Sequence, residues 1–318
     1  FVRLSDTKNT LLEIGTLLKN KIILNILLFT GVLFAQPSFQ FGQNYHVVPQ
    51  ENIDQKFPHA VFDSTGVLHM VWVTDINGHK DVYYARSIDS GITFSEPERL
   101  NSHVQTVVAY VQAGPKVAIR GNEVIVAFMD DRTGYTSVYI NNSIDNGLNW
   151  IGDEKVSDQL YLVAYPSIGI GLDGKIHLFY YSYNQNNSFN SVRYSIAPAG
   201  DIDFSASLPM GITTEEMEPC DCCQSDIEIS ETGDIFFAYR NNISNQRKHF
   251  IVRKDFNLEF FEEPIQMSNF NDYASYCPAS GPSISIEENN IASGFHVSQH
   301  NNSYINYSSL ESLSFTEE

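Results

Sequence analysis

The chain has 318 residues, enough for one large domain or two small ones, and its hydrophobic content of 42% allows a sizeable core. Its formal net charge of −19 repels nucleic acids and anionic membrane surfaces, so we expect neither as a partner. Aromatic residues make up 13% of the chain, and their abundance beside Val and Ile favours strands over helices. Composition carries no information on oligomeric state.

The start of the chain is typical of a secretory signal. Lys19 and Lys21 precede an apolar run, residues 22–34, which ends in Ala-Gln-Pro. A basic start, a short apolar stretch and a small residue before a polar break describe such a signal, and the run is too short for a membrane span. The alternative is a buried N-terminal strand or helix. We expect residues 1–35 to be removed and residues 36–318 to form a secreted, periplasmic or cell-surface domain with no membrane span.

An eight-residue motif recurs along the chain. Residues 87–94 and 143–150 both read Ser-x-Asp-x-Gly-x-Thr/Asn-aromatic. From Phe94 onward the terminal aromatic recurs at spacings of 56, 54, 56 and 55 residues. The later members of the series are Trp150, Phe204, Phe260 and Phe315. A fixed period of this length indicates a repeat architecture with one supersecondary unit per repeat.

Each repeat divides into four short strands. A Pro such as Pro58 or Pro166 stands about one-third of the way into each period and opens the first strand. A Gly/Asp turn and a second apolar strand follow, a pattern typical of hairpins, and no stretch has the period and caps of a helical domain. Four-stranded antiparallel units around a centre form a β-propeller. We therefore predict an all-β propeller with five visible repeats.

The position of the motif divides the reactive residues between two faces of this propeller. The motif lies between the third and fourth strands, on one face, with the turn between the first and second strands. The opposite face surrounds the channel and collects residues from the starts of first strands and the ends of second strands. Four candidate catalytic residues follow second strands there: Asp131, Arg132, Tyr239 and Arg240.

All four cysteines stand just before the first strand of two consecutive repeats, at positions 220, 222, 223 and 277. Disulfides suit a secreted protein, and four cysteines can pair in three ways. However, neighbouring strand residues point to opposite faces, which disfavours a bridge between Cys222 and Cys223. The other interpretation, which we place first, is a Cu or Zn site. Its predicted ligands are Cys220, Cys222, Cys223, Cys277, His59, His296 and His300.

The eight-residue motif resembles the Asp box of sialidase-like propellers. The resemblance covers about residues 46–318 and implies a six-bladed design, here truncated at the C-terminus or closed by residues 36–56. It also implies that the box is a folding device, since side chains used in the turn are not free for chemistry. Residues 220–223 (Cys-Asp-Cys-Cys) and 277–282 (Cys-Pro-x-x-Gly-Pro) resemble a recurring bacterial subgroup, with Gln224 where Pro is usual.

A true sialidase implies three arginines for the substrate carboxylate, an acidic acid/base and a Tyr nucleophile. Arg132 and Arg240 would be two of the arginines, because a guanidinium binds a carboxylate bidentately, while the third position is unfilled. Asp131 or Asp75 would be the acid/base. The nucleophile would be Tyr239, Tyr181 or Tyr183. Alternatively, Arg132 forms an ion pair in its loop and Arg240 a salt bridge that lines the channel.

Three functions stay open at this point. The first is a metal-binding or redox protein, which the clustered cysteines favour. The second is a glycoside hydrolase of exo-sialidase type. The third is a non-catalytic propeller that binds a carbohydrate or another cell-surface ligand, with disulfides that staple its blades.

Overall fold

The computed structural model of the protein describes residue 47 and residues 53–157, 162–184, 186, 189–210, 218–268 and 272–315. The predicted signal, residues 1–35, lies outside this part of the chain, and so does most of the segment 36–56. A single compact unit spans His46–Glu318. The described residues form strands and turns without any helix, so no helix there could cross a membrane.

Within the described ranges, antiparallel strands form five sheets, and each sheet consists of strands that follow one another in the chain. The first contains β1 (Asp54–Phe62), β2 (Leu68–Ile76), β3 (His79–Ser87) and β4 (Glu98–Arg99). The second contains β5 (Val107–Val108), β6 (Lys116–Arg120), β7 (Glu123–Asp130), β8 (Ser137–Ser143) and β9 (Asp153–Lys155). The third contains β10 (Leu162–Ile170), β11 (Ile176–Tyr183), β12 (Phe189–Ala197) and β13 (Leu208–Pro209). The fourth contains β14 (Asp226–Ile229), β15 (Ile235–Arg240), β16 (His249–Lys254) and β17 (Ile265–Gln266), and the fifth contains β18 (Ser283–Glu287), β19 (Asn290–Val297) and β20 (Asn302–Ser309).

The strands β1, β6, β10, β14 and β18 are the inner strands of these sheets. Each contacts the inner strand of the next sheet, and residues from all five line one cavity. This is the radial arrangement that the repeat predicted, and the prediction of four-stranded antiparallel units is confirmed in several sheets. The six-bladed design stays a prediction.

The core lies between the faces of neighbouring sheets. Val71 and Val73 of β2 pack in one buried cluster with Val124 and Val126 of β7. Between the third and fourth sheets, the rings of Phe179 and Phe237 stack with their centroids 4.7 Å apart. Because alternate residues of a strand point to opposite faces, each central strand contributes to two such cores, which explains the apolar second strand of each repeat.

The eight-residue motif forms the turn after the third strand, as predicted. In its first copy Asp89 Oδ1 accepts hydrogen bonds from the backbone N–H of Thr93 at 2.8 Å and from the Ser87 hydroxyl at 2.7 Å. The second copy repeats this, with Asp145 Oδ1 accepting from the backbone N–H of Asn149 at 2.8 Å and from the Ser143 hydroxyl. Its Gly147 has a φ of 75°, which glycine adopts without strain. The motif is therefore a folding device.

Candidate functional site

The four cysteines meet ahead of the inner strands of two neighbouring sheets. Cys220, Cys222 and Cys223 precede β14, while Cys277 precedes β18. Cys222 and Cys277 form a disulfide with their Cα atoms 6.3 Å apart. Cys220 and Cys223 are free thiols and are fully buried. One pair, Cys222 and Cys277, is thus a disulfide between consecutive repeats, as one of the two interpretations predicted. The other pair, Cys220 and Cys223, is reduced.

The free thiols lie against the disulfide. The Sγ of Cys220 is 3.3 Å from the Sγ of Cys222 and 3.2 Å from the Sγ of Cys223. Arg247, which follows the turn after β15, donates from Nη1 to the Sγ of Cys220 at 3.0 Å. Three sulfur atoms and one guanidinium group therefore form a single buried cluster, which we call the thiol cluster.

The pKa values of the two buried thiols are shifted in opposite directions. The hydrogen bond with Cys223 lowers the pKa of Cys220 to about 6, assisted by the backbone of Cys222 and the charge of Arg247 and opposed by burial. The same hydrogen bond and burial raise the pKa of Cys223. The shifts favour the thiolate form of Cys220 over that of Cys223, and Cys223 is the thiol that donates to Cys220.

A polar clamp holds the two cysteine-bearing segments together. Gln112, in the loop between β5 and β6, accepts at Oε1 hydrogen bonds from the backbone N–H of Gly281 at 3.1 Å and of Gln224 at 3.4 Å. A Cβ on Gly281 would overlap the carbonyl oxygen of Gln224, so only glycine permits this approach. The Gly of the Cys-Pro-x-x-Gly-Pro segment therefore has a packing role.

The predicted metal ligands divide into two groups. Within the described residues, the ligand atoms of Cys220, Cys222 and Cys223 lie within 4.8 Å of one another, and no histidine belongs to this group. His59 lies on β1 and accepts at Nδ1 from the backbone N–H of Val117 at 3.3 Å. His296 faces Ser303, and His300 is exposed in the turn after β19. Because Cys222 is oxidised, a Cu or Zn site would first require reduction of the Cys222–Cys277 bond, and it stays a prediction.

Arg132 is occupied by other protein groups. It donates to Asp130 from Nε and Nη2 at 2.9 and 2.8 Å, it also pairs with Asp153, and its guanidinium lies 4.0 Å above the ring of Tyr139. To bind a substrate carboxylate as predicted, Arg132 would need guanidinium N–H groups that already donate to Asp130 and Asp153. Asp131, the predicted acid/base, is exposed beside it.

Arg240 is likewise part of the framework. Its side chain is fully buried and donates to Asp272, to the Ser280 hydroxyl at 2.6 Å and to the Ser298 hydroxyl at 2.7 Å. These partners connect the end of β15 to segments around the fifth sheet. Tyr239, the predicted nucleophile, is also fully buried, and its ring stacks on Phe237 and Phe250. Both guanidinium groups are therefore engaged by carboxylates of the protein, and the substrate-binding role of Arg132 and Arg240 stays a prediction.

A second site contains His59, a predicted metal ligand, together with three titratable residues that were not predicted from the sequence: Lys116, Asp226 and Glu228. The inner strands enclose a cavity of about 360 Å³ whose lining includes His59, Lys116, Asp226 and Glu228. Asp226 Oδ2 accepts from the Ser283 hydroxyl at 3.0 Å and from the backbone N–H of Ile284 at 2.9 Å. We call this site the channel cavity.

Burial shifts the pKa of the titratable side chains that line the channel cavity. Burial, with a contribution from Asp226, raises the pKa of Glu228 to about 7. Burial also raises the pKa of Asp226, against the charge of Lys116 and the hydrogen bonds from the fifth sheet. The pKa of His59 falls to about 3, through burial and the charge of Lys116. Carboxylates with raised pKa values in a concave site are typical of acid/base centres.

One signal in the sequence could have revealed the channel pair. Asp226-Ile-Glu-Ile229 alternates charged and apolar residues on a first strand. Because alternate residues share a face, both carboxylates project from the same side of β14. Arg247 has no comparable signal, since only the folded chain brings it to Cys220.

The comparisons with known proteins show similarity only at the level of structure. No family model matches the chain, and no curated protein is significantly similar to it. A protein of unknown function from Dyadobacter fermentans is similar with a TM-score of 0.58 at 12% identity, over 83% of this chain and 81% of that chain.

Two carbohydrate-active enzymes show the same likeness. An α-L-arabinanase from Penicillium chrysogenum has a TM-score of 0.53 at 12% identity, over 80% of this chain and 76% of its own. An α-L-arabinofuranosidase from Fusarium graminearum has a TM-score of 0.54 at 14% identity, over 81% and 82%. These enzymes are β-propellers, and at such low identity the likeness shows the fold alone. The chain is therefore an all-β protein with a β-propeller fold.

Proposed function

We propose that the protein is a secreted, glycan-acting propeller that cleaves a neutral oligosaccharide bound at the channel cavity. The observation that carries this proposal is the pair of carboxylates, Asp226 and Glu228, two residues apart on one inner strand. Residues at this spacing have Cα atoms about 7 Å apart, a scale that suits two carboxyl groups on either side of a glycosidic bond.

The two carboxyl groups have environments that suit different roles. Glu228, with its pKa raised to about 7, retains a proton near neutral pH and can donate it to the leaving oxygen. Burial raises the pKa of Asp226, while the charge of Lys116 and the hydrogen bonds from Ser283 and Ile284 stabilise its ionised form. In that ionised form Asp226 can act as a base toward water or stabilise positive charge at the sugar ring.

Charge supports a neutral substrate. The chain carries a formal charge of −19, which repels anionic sugars from the protein as a whole. A sialidase-type reaction is less well supported, because Arg132 and Arg240 are bound to Asp130, Asp153 and Asp272. The Cys222–Cys277 disulfide and the predicted signal support a secreted or periplasmic location.

The test is an activity screen of the mature protein on neutral chromogenic glycosides and neutral polysaccharides, with a sialoside as comparator. Glu228→Gln should lower kcat/KM by at least about 100-fold, the usual scale for loss of an acid/base group. Glu154→Gln, on the outer strand β9, is the matched control and should leave the rate unchanged. Cleavage of the sialoside alone, or cleavage of a neutral glycan by Glu228→Gln at the normal rate, would contradict the proposal.

A further inference from the structure

The thiol cluster has no role in the proposed glycan chemistry, yet it holds a free, buried cysteine against a disulfide. We propose that it is a thiol–disulfide exchange site, in which the buried pair Cys220 and Cys223 passes two electrons through the Cys222–Cys277 bond to an external disulfide. The geometry that carries this proposal is the 3.3 Å separation between the Sγ of Cys220 and the Sγ of Cys222.

The surroundings of Cys220 suit a nucleophile of this kind. The donor Nη1 of Arg247 lies 3.0 Å from its sulfur, and positive groups beside a cysteine favour the reactive thiolate. Cys220 is also fully buried, so outside reagents cannot reach it, whereas the neighbouring disulfide can. Its reactivity is thereby directed to Cys222.

The first step is an intramolecular exchange. The Cys220 thiolate attacks the Sγ of Cys222, so that the Cys220–Cys222 bond forms and the Cys222–Cys277 bond breaks. Its electron pair leaves on Cys277, which is exposed to solvent. No outside oxidant or reductant takes part, because one disulfide replaces another.

The second step uses the remaining thiol. The Sγ of Cys223 lies 3.2 Å from the Sγ of Cys220, and its attack forms Cys220–Cys223 and releases Cys222 as a thiolate. The thiol proton passes to solvent or to Cys277. The disulfide has then moved from the surface pair to the buried pair.

The released surface pair can reduce an external disulfide. The Cys277 thiolate attacks that disulfide and forms a mixed disulfide, while one external thiol leaves. The Cys222 thiolate then attacks the Cys277 sulfur, restores the Cys222–Cys277 bond and expels the second external thiol. In total the external disulfide gains two electrons from Cys220 and Cys223, which finish as a disulfide, and it takes one proton from the Cys223 thiol and one from solvent.

The experiment follows one turnover with dithiodipyridine, an aromatic disulfide whose reduction is read from the absorbance of the released pyridinethione. The native wild-type protein should release about two equivalents and finish with two disulfides, Cys220–Cys223 and Cys222–Cys277, identified by mass spectrometry. Cys220→Ser should react at least about 100-fold more slowly, because it lacks the attacking thiolate.

The matched variant is Cys223→Ser, which replaces the other buried thiol. It should release about one equivalent and carry the reagent on Cys277, since the first step proceeds and the second cannot. Near-ultraviolet circular dichroism checks that both variants are folded. The proposal would be overturned by a reagent adduct on Cys220, or by equal rates in the wild type and Cys220→Ser.

Two further outcomes are informative. Four reduced thiols in the freshly purified protein, with about one equivalent of Zn or Cu, would overturn the exchange and favour the metal site. The glycan proposal is tested separately, because Glu228→Gln should retain the full exchange stoichiometry. Failure of one proposal is thereby distinguishable from failure of the other.

Discussion

Arg247 connects the buried thiolate of Cys220 to the segment that carries the disulfide partner. Its Nη1 lies 3.0 Å from the Sγ of Cys220, and its Nε and Nη2 donate to the backbone carbonyls of Ala274 and Tyr276. The Tyr276 carbonyl immediately precedes Cys277 in the chain. The Arg247 side chain therefore stabilises negative charge on the Cys220 sulfur. It also positions the backbone next to Cys277, whose sulfur is the leaving group in the proposed exchange.

The first prediction concerns the pH dependence of the exchange. Because the pKa of Cys220 is lowered to about 6, the rate of dithiodipyridine reduction should rise as pH increases through 6 and level off above about 7. An ordinary thiol, with a pKa of about 8.5, would continue to gain rate up to about pH 9. Stopped-flow rates across this range separate the two profiles, and a midpoint near 8.5 would be inconsistent with the thiol cluster.

The second prediction compares the groups that stabilise the thiolate. The hydrogen bond with Cys223 is the largest cause of the lowered pKa, and the charge of Arg247 is a smaller one. Cys223→Ala should therefore move the midpoint of the first-step rate to higher pH, by more than Arg247→Gln does. Arg247→Lys keeps the positive charge and is the control, with a midpoint close to that of the wild type. Identical profiles in all four proteins would contradict this assignment.

The third prediction is a basic limb in glycan cleavage. Glu228 must be protonated to act as a general acid, and its pKa is raised to about 7. The value of kcat/KM should therefore fall about tenfold for each pH unit above 7. Measurement of kcat/KM between about pH 5 and 9 tests this, and residual cleavage by Glu228→Gln should lack the limb. A rate that rises above pH 7 would exclude Glu228 as the acid.

The fourth prediction concerns the stability of the turn formed by the eight-residue motif at residues 143–150. The hydrogen bond with Asn149 is the largest cause that lowers the pKa of Asp145 to about 2, whereas the unfolded value is about 3.9. A carboxyl group whose pKa is lower in the folded state stabilises the fold at pH values above its unfolded-state pKa. This stabilisation is lost as the pH falls through the folded-state pKa. Asp145→Asn should therefore lower Tm at pH 7, with a difference that shrinks between about pH 4 and 2. Asp131→Asn, at an exposed loop position, is the control, and equal Tm losses for both variants would refute the turn's role.

The fifth prediction concerns the buried pair of Arg240 and Asp272. Arg240→Met leaves the Asp272 carboxylate buried without its counter-ion, which costs about 3–5 kcal/mol in the free energy of unfolding. Arg99→Met, on the exposed strand β4, should change it by no more than about 0.5 kcal/mol. Urea denaturation measures both. A small effect of Arg240→Met, with binding of sialosides lost, would restore its predicted substrate role.

The sequence was informative where local pattern determines structure. The Ser, Asp and Gly of residues 143–150 specify their turn through contacts within eight residues, so the motif, its strands and their repeat could all be predicted. The placement of the cysteines before the first strands of consecutive repeats indicated that the four could meet, but it did not identify Cys222 and Cys277 as the bonded pair.

Long-range partners were not predictable in the same way. Arg240 and Asp272 are 32 residues apart, and nothing in the local sequence shows that this carboxylate uses the guanidinium. Arg132 was partly readable, because Asp130 is two residues away, but Asp153 comes from the outer strand β9. Whether an arginine side chain is available to a substrate depends on which residues distant in sequence pair with it in the fold. The local sequence does not show those partners.

The Cys222–Cys277 bond joins residues 55 positions apart, which is one full period of the repeat. It therefore links equivalent points of consecutive units, whose Cα atoms lie 6.3 Å apart. Equivalent points of consecutive units lie close together where their first strands contact one another around the channel, so a cysteine at this point of two units has a bonding partner. The bond therefore tethers the fourth sheet to the fifth through the same position of each repeat.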